Sequence, residues 1–453
     1  MQLSKTQLNK YNRPDTLLVL TSFPKRGGEV ALENAIARYS QLLVTNFPKH
    51  QRVVVICEKR QTKDAAYELT DNILVVPSYS YDSPLFSFEV DKVLKNFKNS
   101  ANLLVQFEFH IFGGKGSIPA VLAVLFSQAL AGRNISIMLH QVVSDINSLS
   151  GHLGLAKGGA AAHVFNVLLR MFYFMLGIVC NRVLVHDSLL KTRLESFIKP
   201  DKIVVIPHGS DLPKRVMAKP RIQARQRLGI KDGDVALLAF GYLSWYKGSD
   251  WIVSNVGAIA KNHPGLSLKL VLAGGESPTL RQTASYKAFS QKLRRIVNTH
   301  KKGVITTGFV PEAEVGELFQ ACDVVIFPYR TKMSASGALS LAWQYGRPTL
   351  VSSPFSQNFE EHDVKAVFGQ KGITIGDISF KLNKASFEKA LVGLLADASL
   401  REDLGTSGRQ VAQLRSWGSV AELYLGACMG AYVPSFGLFG RRDISYATNE
   451  NSI

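Results

Sequence analysis

Small and hydroxyl-bearing residues are concentrated between Thr331 and Gly337, where the sequence reads Thr-Lys-Met-Ser-Ala-Ser-Gly. The apolar run before them, Val324–Pro328, is typical of a buried strand, and the segment after them predicts a helix that ends near Tyr345. Open α/β sheets bind their ligands at loops that leave the carboxyl ends of strands. Because such a loop offers hydroxyl groups and backbone N–H groups at a helix N-terminus, it suits an anion.

Two further positions have residue types that favour phosphate. Gly27 and Gly28 follow the first predicted strand and open a helix, and glycine lets a backbone approach a phosphate without a Cβ in the way. An ordinary strand-to-helix turn would also explain this pair, which is not part of a GxGxxG dinucleotide fingerprint. Lys247 stands at the corresponding place in the second half of the chain, just before Gly248. It is either a charge that holds a diphosphate or a surface lysine.

Ionisable side chains follow two other predicted strands. His140 comes directly after the apolar strand 135–139, where its imidazole can face a cleft and donate a hydrogen bond to a sugar hydroxyl or a phosphate. A capped loop histidine is the alternative. Glu108 and His110 are flanked by apolar residues, which favours shifted pKa values. This pattern is compatible with a general acid–base role and favours acceptor binding.

The spacing of apolar runs predicts the fold class. Short runs of Val, Ile and Leu without polar alternation recur through both halves of the chain, as in parallel sheets covered on both faces. A chain of 453 residues is too long for one hydrophobic core, so we expect two doubly wound α/β domains that face each other across a cleft. The predicted divisions are residues 1–212, residues 213–433 and a C-terminal tail, 434–453.

The composition limits the class of partner. The net charge is +18 and the mean hydropathy +0.06, and the basic residues are not gathered in an arm, which argues against nucleic acid. Diffuse positive charge fits a phosphate-bearing ligand, an anionic membrane surface or a generally basic surface. The four cysteines form no CxxC pair and the N-terminus has no apolar signal, which favours a reducing cytoplasm. The apolar segment 164–180 predicts a helix that is buried or touches lipid.

Nine segments that cover nearly the whole chain resemble the GT-B fold retaining glycosyltransferases of group 1 (glycosyltransferase family 4). They are, in order, SFPKRGG, LLVQFEFHIFGG, SIMLHQ, RVLVHDS, VVIPHGSD, FGYLSWYKGSD, LVLAGG, GFVPEAEVGELFQACDVVIFPY and SGALSLAWQYGRPTLVSS. The resemblance implies transfer of a hexose from a nucleotide diphosphate-sugar to a glycan or lipid-linked acceptor in surface polysaccharide synthesis. It also implies that no metal or other cofactor is used, and that the protein is cytoplasmic and peripheral on the inner face of the plasma membrane.

The same resemblance implies roles for individual residues. Gly27 and Gly28 would contact the donor diphosphate from the first domain, and Lys247 would neutralise it from the second. His140 would contact the donor sugar and, with Lys247 and Glu108, complete the catalytic set. The remaining donor-binding positions would be two beside the nucleobase and four in the loop beside the sugar and diphosphate: Phe309 and Val310, then Ser334, Ser336, Gly337 and Ala338.

Three positions depart from the family pattern. Many members carry two glutamates with seven residues between them, which contact the donor sugar and the ribose; Met333 and Leu341 occupy those positions here. An arginine that often follows the glycine at Gly241 is replaced by Tyr242. These departures leave open a non-catalytic protein of the same fold that binds a partner or a glycan. A GT-B epimerase or phosphorylase is a further alternative.

Overall fold

Two parallel sheets, each covered by helices on both faces, make up the protein. The computed structural model describes residues 3–26, 35–59, 61, 64–113, 117–149, 158–211, 221–278 and 280–429. The predicted boundary between residues 212 and 213 and the predicted tail 434–453 both fall outside these ranges. The predicted α/β class, with two Rossmann-like domains, is confirmed.

The first domain contains eight strands and six helices within the described residues. Its strands are β1 (Leu17–Leu20), β2 (Val53–Glu58), β3 (Tyr67–Thr70), β4 (Ile73–Tyr79), β5 (Asn102–Phe107), β6 (Asn134–Leu139), β7 (Arg182–Val185) and β8 (Ile203–Val205). Its helices are α1 (Lys5–Tyr11), α2 (Ala35–Thr45), α3 (Phe86–Leu94), α4 (Ser117–Leu130), α5 (Ala160–Val179) and α6 (Ser188–Leu194). The strand order is β3-β4-β2-β1-β5-β6-β7-β8, and β3 runs antiparallel to its neighbour β4.

The second domain is built on six parallel strands. They are β9 (Val235–Phe240), β10 (Leu268–Ala273), β11 (Val304–Gly308), β12 (Val324–Phe327), β13 (Thr349–Ser352) and β14 (Ser379–Phe380), in the order β11-β10-β9-β12-β13-β14. The helices of this half of the chain are α7 (Arg221–Arg227), α8 (Ser249–Asn262), α9 (Ala284–Thr299), α10 (Glu312–Ala321), α11 (Gly337–Gln344), α12 (His362–Gly369), α13 (Ile375–Ile378), α14 (Lys384–Ala396), α15 (Ala398–Leu414) and α16 (Trp417–Met429).

The central strands are apolar on both faces because each face is covered. In β1, Leu18 and Leu20 belong to the core beneath α3, α4 and α5, while Leu17 and Val19 belong to the core beneath α2 and α16. Successive side chains of a strand point to opposite faces, so an uninterrupted apolar run is what a doubly covered strand requires. This explains why the strands could be recognised from the sequence.

Helix α16 corrects the predicted division of the chain. The sequence analysis placed it with residues 213–433, but it returns to the first domain and packs against α2, β5 and β6. Trp417 is buried there, with its ring 4.9 Å from that of Tyr39, and the Tyr39 hydroxyl lies 2.9 Å from the hydroxyl of Tyr424. The chain therefore crosses between the domains twice.

We expect Trp417→Ala to destabilise the protein by about 3–5 kcal/mol, because it removes a buried indole and leaves a cavity between α2 and α16. Urea unfolding followed by circular dichroism measures this loss. Trp417→Phe keeps most of the buried volume and should cost clearly less. A loss below about 1 kcal/mol for the alanine variant would show that the docking of α16 contributes little to stability.

Candidate active site

The loops that leave the carboxyl ends of β6 and β12 meet each other between the domains. Gln141 and Ser334 form an antiparallel bridge, and the backbone N–H of Val142 donates to the carbonyl oxygen of Met333 at 3.4 Å. The side chain of Met333 is buried in the core of the first domain. The loop that the sequence predicts as an anion site is thus attached to the opposite domain.

Buried polar contacts reinforce this junction on one side. The Lys332 ammonium forms an ion pair with Asp187 at 3.1 Å, and both side chains are almost fully buried. Ser188 donates its backbone N–H and its hydroxyl to Glu361, each at 2.9 Å. The burial of Lys332 is tolerated because its ammonium group faces the carboxylate of Asp187.

Lys247 lies at the carboxyl end of β9 and differs from Lys332 in having no counter-charge. Part of its side chain reaches solvent, but the protein around Nζ is dense enough that burial lowers its pKa to about 8. No described residue forms an ion pair or a hydrogen bond with this ammonium group; its neighbours are the rings of Tyr246 and Tyr329, with centroids 5.9 Å away. An enclosed cation without a carboxylate is a site for an anionic ligand.

Two glycines let the backbone come close to Lys247. Gly241 has φ +114°, and a Cβ there would lie 2.6 Å from Nζ of Lys247. Gly248 has φ +71° at the start of α8, and a Cβ there would overlap the carbonyl oxygen of Pro328. Both conformations are ones that residues with a Cβ rarely adopt.

Arg330 fixes the loop that carries Lys247, and the sequence analysis missed it. Its guanidinium bonds both carboxylate oxygens of Asp250 at 2.7 and 3.1 Å, donates to the carbonyl oxygen of Trp245 at 2.5 Å and lies over the Trp245 ring at 5.0 Å. Its backbone N–H donates to the carbonyl oxygen of Tyr246 at 2.7 Å. Arginine suits this place because its planar fork can bond a carboxylate and stack on a ring at once.

The predicted sugar-side loop forms the N-terminus of α11. Ser336 caps the helix by accepting from the backbone N–H of Leu339 at 3.2 Å, and it lies close enough to the Tyr329 hydroxyl to lower the pKa of that group, which burial raises. Gly337 and Ala338 form the first turn, so their backbone N–H groups have no partner within the helix. Tyr329 therefore lies close both to Ser336 at the start of α11 and to the ammonium group of Lys247. The N-terminus of α11 and this ammonium group both attract an anion, and they lie on the same wall of the cleft.

His140 follows β6, next to the bridge between the domains, where it is buried and bonded through both ring nitrogens. Nε2 lies 2.7 Å from the side-chain oxygen of Gln106, and Nδ1 lies 3.0 Å from Nε2 of His186. Burial, His186 and His208 hold the pKa of His140 well below its ordinary value, so the ring is neutral at physiological pH. A sugar could accept or donate a hydrogen bond here only by exchanging one of the existing bonds.

The positions of the protons on His140 and His186 follow from the bond that His186 makes to the backbone. Nδ1 of His186 faces the carbonyl oxygen of Ile206 at 3.1 Å, so it carries a proton, and Nε2 of His186 must accept from Nδ1 of His140. Nε2 of His140 is then an acceptor and requires a donor from Gln106. The amide nitrogen of Gln106 otherwise has no partner in the described region, so we assign that amide with its nitrogen toward His140.

Glu108 lies on the first-domain side of the cleft. One carboxylate oxygen accepts from the backbone N–H of His110 at 3.2 Å, and burial raises the pKa of Glu108. The Tyr246 hydroxyl has a raised pKa, mainly through burial, with smaller contributions from Tyr329 and from Glu108 across the cleft. Glu108 thus faces the loop of Lys247, which keeps it available for a role in proton transfer or acceptor binding.

The remaining predicted positions lie farther along the second sheet or outside the described ranges. Phe309 and Val310 follow β11 and line an open pocket together with Leu228 of the neighbouring region, and the Phe309 ring is exposed. Gly27 and Gly28 lie outside the described residues. The structure therefore groups Lys247 with the α11 turn, and His140 with the bridge at Ser334; the roles of all these residues stay predictions.

The three departures from the family pattern have clear structural positions. Met333 is buried in the first-domain core, and Leu341 packs against the core of the second domain. Tyr242 follows Gly241 in the loop after β9. None of the three can supply the carboxylate or the guanidinium that many group 1 members place there.

Comparisons with known proteins agree with this architecture. Residues 234–397 match the family model "Glycosyl transferases group 1". An uncharacterised glycosyltransferase of Methanocaldococcus jannaschii is 24% identical over 249 residues, which cover 54% of this chain and 58% of the relative. A D-inositol 3-phosphate glycosyltransferase of Stackebrandtia nassauensis is 27% identical over 232 residues, which cover 50% and 48%. The chain spans about half the length of the curated relatives that it matches.

Solved structures resemble the chain over nearly its whole length. The sucrose-phosphate synthase of Thermosynechococcus elongatus aligns with a TM-score of 0.67 at 15% identity, over 92% of this chain and 100% of that one. Anabaena HepE in complex with UDP-glucose aligns with a TM-score of 0.60 at 15% identity, over 90% and 97%. The protein therefore has the GT-B fold. Residues 234–397 of its second half resemble the group 1 glycosyl transferases, in agreement with the sequence motifs.

The affinity of Lys247 for an anion should depend on pH. Because its pKa is lowered to about 8, the free protein loses the charge as the pH rises through that value, and inorganic pyrophosphate should bind more weakly above it, by at most about tenfold per pH unit. Calorimetry at several pH values tests this. Lys247→Arg stays charged and should give a flat profile above pH 8. A falling profile in both proteins would assign the titration to another group.

Arg330→Lys should weaken pyrophosphate binding by roughly three- to tenfold, because lysine cannot maintain the paired bonds to Asp250 while stacking on Trp245. Arg52→Lys is the matched control, since Arg52 is an exposed first-domain arginine bonded to Asp15 at 2.6 Å. Calorimetry at pH 7 measures both variants. Equal affinity for Arg330→Lys and the wild type would remove Arg330 as the residue that positions Lys247.

Proposed function

We propose that the protein is a retaining hexosyltransferase that moves a hexose from a nucleotide diphosphate-sugar to a glycan or lipid-linked acceptor. The observation that carries the proposal is the uncompensated ammonium of Lys247 beside the N-terminus of α11, at the cleft of a GT-B fold. During transfer, negative charge develops on the departing diphosphate. Fixed positive groups aimed at that position stabilise it more in the transition state than in the ground state.

The donor class is supported by the charge of the site and by the neighbours of the fold. The HepE structures of similar fold contain UDP or UDP-glucose, and an E. coli structure of similar fold contains UDP-2-fluoro glucose. On this proposal the nucleobase lies beside Phe309 and Val310. Lys247 and the α11 turn hold the diphosphate, so that charge neutralisation does not depend on a metal ion.

The acceptor side is proposed to be the first domain. Glu108 and His140 line that side of the cleft, and the raised pKa of Glu108 suits a group that exchanges a proton with an acceptor hydroxyl. We place the reaction in surface polysaccharide synthesis, on the cytoplasmic face of the membrane, with the protein bound peripherally. The exposed apolar helix α5 supports this location.

A second function is favoured by one specific observation. Met333 takes the place of a donor-binding glutamate and is buried in the first domain, so the loop serves the contact between the domains. This arrangement fits a non-catalytic protein of GT-B fold that binds a partner or a glycan. The two functions differ in whether a nucleotide-sugar binds at all.

Purified full-length protein, incubated with a panel of UDP- and GDP-sugars, should hydrolyse or transfer one of them. Lys247→Ala should lower kcat/KM by about 100-fold or more, since it removes the charge opposite the leaving group. Lys365→Ala is the control, because Lys365 is exposed on α12 and pairs with Glu360. NMR of the product should show the anomeric configuration of the donor.

Three results would count against the proposal. Equal activity of Lys247→Ala and the wild type would remove the assigned role of the lysine. An inverted anomeric configuration would exclude a retaining reaction. Calorimetry that detects no binding of UDP, GDP or any of their sugars would favour the non-catalytic protein.

A further inference from the structure

Helix α5 exposes a large apolar surface on the first domain. We call this surface the α5 face. It comprises seven side chains, each between 41% and 57% exposed: Val164, Phe165, Val167, Leu168, Met171, Phe174 and Ile178. Monomeric soluble proteins seldom expose contiguous apolar patches of this kind, and where they do the patch is usually an interaction site.

The opposite side of α5 is firmly anchored in the first-domain core. Leu169, Phe172, Tyr173 and Leu176 are buried there. The helix has 20 residues and is by length and composition long enough to cross a membrane, but its buried face belongs to the packed core beneath the first sheet. A helix with one face in a protein core and the other apolar and exposed cannot cross a bilayer, and it meets one only by lying along its surface.

The charges around the α5 face favour an anionic surface. Helices α4 and α5 contain no acidic residue, and α5 adds His163 and Arg170 at exposed positions. On α3, which packs beside α4, Glu89 already accepts from Ser80 and Asp91 already accepts from Gln128. Exposed lysines follow on α3 and the turn after it: Lys92, Lys95 and Lys98.

This charge pattern decides between two occupants of the α5 face. In a symmetric dimer the same patch meets itself, so Arg170 and His163 would face their own copies, and the carboxylate beside them, Asp145, already accepts from Asn166 at 2.8 Å and from the backbone N–H of Asn147 at 2.9 Å. An anionic bilayer offers hydrocarbon for the apolar side chains and phosphate for the basic ones. The net charge of +18 acts in the same direction.

The buried side of α5 also supports the loop that enters the cleft. The Tyr173 hydroxyl accepts from the backbone N–H of Val143 at 3.0 Å and lies 3.1 Å from its carbonyl oxygen. Asn166 accepts from the backbone N–H of Ile146 and donates to Asp145, both at 2.8 Å. The segment 141–146 follows His140 and pairs with the loop of Ser334, so a surface that holds α5 also holds the acceptor side of the cleft.

We propose that the α5 face docks the protein onto an anionic lipid bilayer and thereby brings the acceptor side of the cleft to the membrane. The anionic bilayer would be the partner of the first-domain side of the cleft. That the bilayer presents the acceptor rests on the proposed function. The docking itself rests on the exposed side chains and charges of the first domain alone.

Vesicle flotation of the full-length protein tests the docking. Phosphatidylcholine vesicles that contain phosphatidylglycerol should carry the wild type, and pure phosphatidylcholine vesicles should carry less of it. The triple variant Leu168→Ser/Met171→Ser/Phe174→Ser should bind at least about tenfold more weakly, because it removes the centre of the α5 face. Ile222→Ser is the matched control, since Ile222 is 61% exposed on α7 of the second domain, and it should float like the wild type.

Two results would overturn the docking. The first is that the triple variant binds anionic vesicles as well as the wild type does, with circular dichroism confirming that both are folded. Alternatively, sedimentation velocity without lipid would find a wild-type dimer that the triple variant abolishes, which would make a second copy the occupant.

Failure of the docking can be told apart from failure of the proposed function. Lys247→Ala should float like the wild type, and the triple variant should bind the nucleotide-sugar like the wild type. Loss of nucleotide binding in every protein, with flotation intact, would reject the transferase and leave the docking supported. Intact nucleotide binding, with equal flotation of wild type and triple variant, would reject the docking alone.

Discussion

A positive charge enclosed in a protein without a counter-ion costs free energy until an anion arrives, and Lys247 is such a charge. Two other buried cations are matched by carboxylates: Lys332 lies 3.1 Å from Asp187, and Arg415 bonds both oxygens of Asp363 at 2.6 and 2.7 Å. The contrast matters because all three lie near the meeting of the domains. The matched pairs stabilise the fold, and Lys247 is left for a ligand.

The surrounding fold has to hold the ammonium group of Lys247 at the cleft between the two domains. Arg330 bonds the backbone of the loop that carries Lys247 and forms a bidentate pair with Asp250, which fixes the point from which the lysine side chain extends. Helix α16 crosses back to the first domain and buries Trp417 and Tyr424 against α2. The two domains are thus joined by the chain at two places and by the bridge between Gln141 and Ser334, and the cleft lies between these connections.

Local patterns in the sequence predicted the apolar strands and the position of Lys247 in the loop after β9, but not β3, which has no buried residue, or β14, which has two residues. An apolar run followed by a glycine-containing loop identifies the end of a parallel strand, and any charged residue in that loop must lie at the edge where ligands bind. Contacts between distant segments could not be predicted in this way. Nothing near Arg330 indicates that it pairs with Asp250, eighty positions away.

Helix α16 and His140 also depend on contacts between distant segments, which the sequence does not predict. The apolar residues of helix α16 fit either domain, and only the three-dimensional packing decides which one they cover. His140 was expected to face the cleft with free nitrogens. The bonds to Gln106 and His186 come from neighbouring strands β5 and β7, and the order of strands in a parallel sheet is not encoded in any single segment.

The replacement of a glutamate by Met333 changes how the donor side and the acceptor side are related. A carboxylate in this loop would face a polar ligand, because burial in an apolar core would leave its charge without a partner. A methionine has the opposite preference and packs into the first domain, where the adjacent backbone pairs with Val142. Val143 is in turn held by Tyr173 of α5. A continuous set of contacts therefore runs from the turn of α11, through Met333, to the helix that we propose lies on the membrane. Met333 therefore has two effects. It removes a carboxylate that would contact the donor, and it joins the loop before α11 to the first domain, where we propose that the acceptor binds.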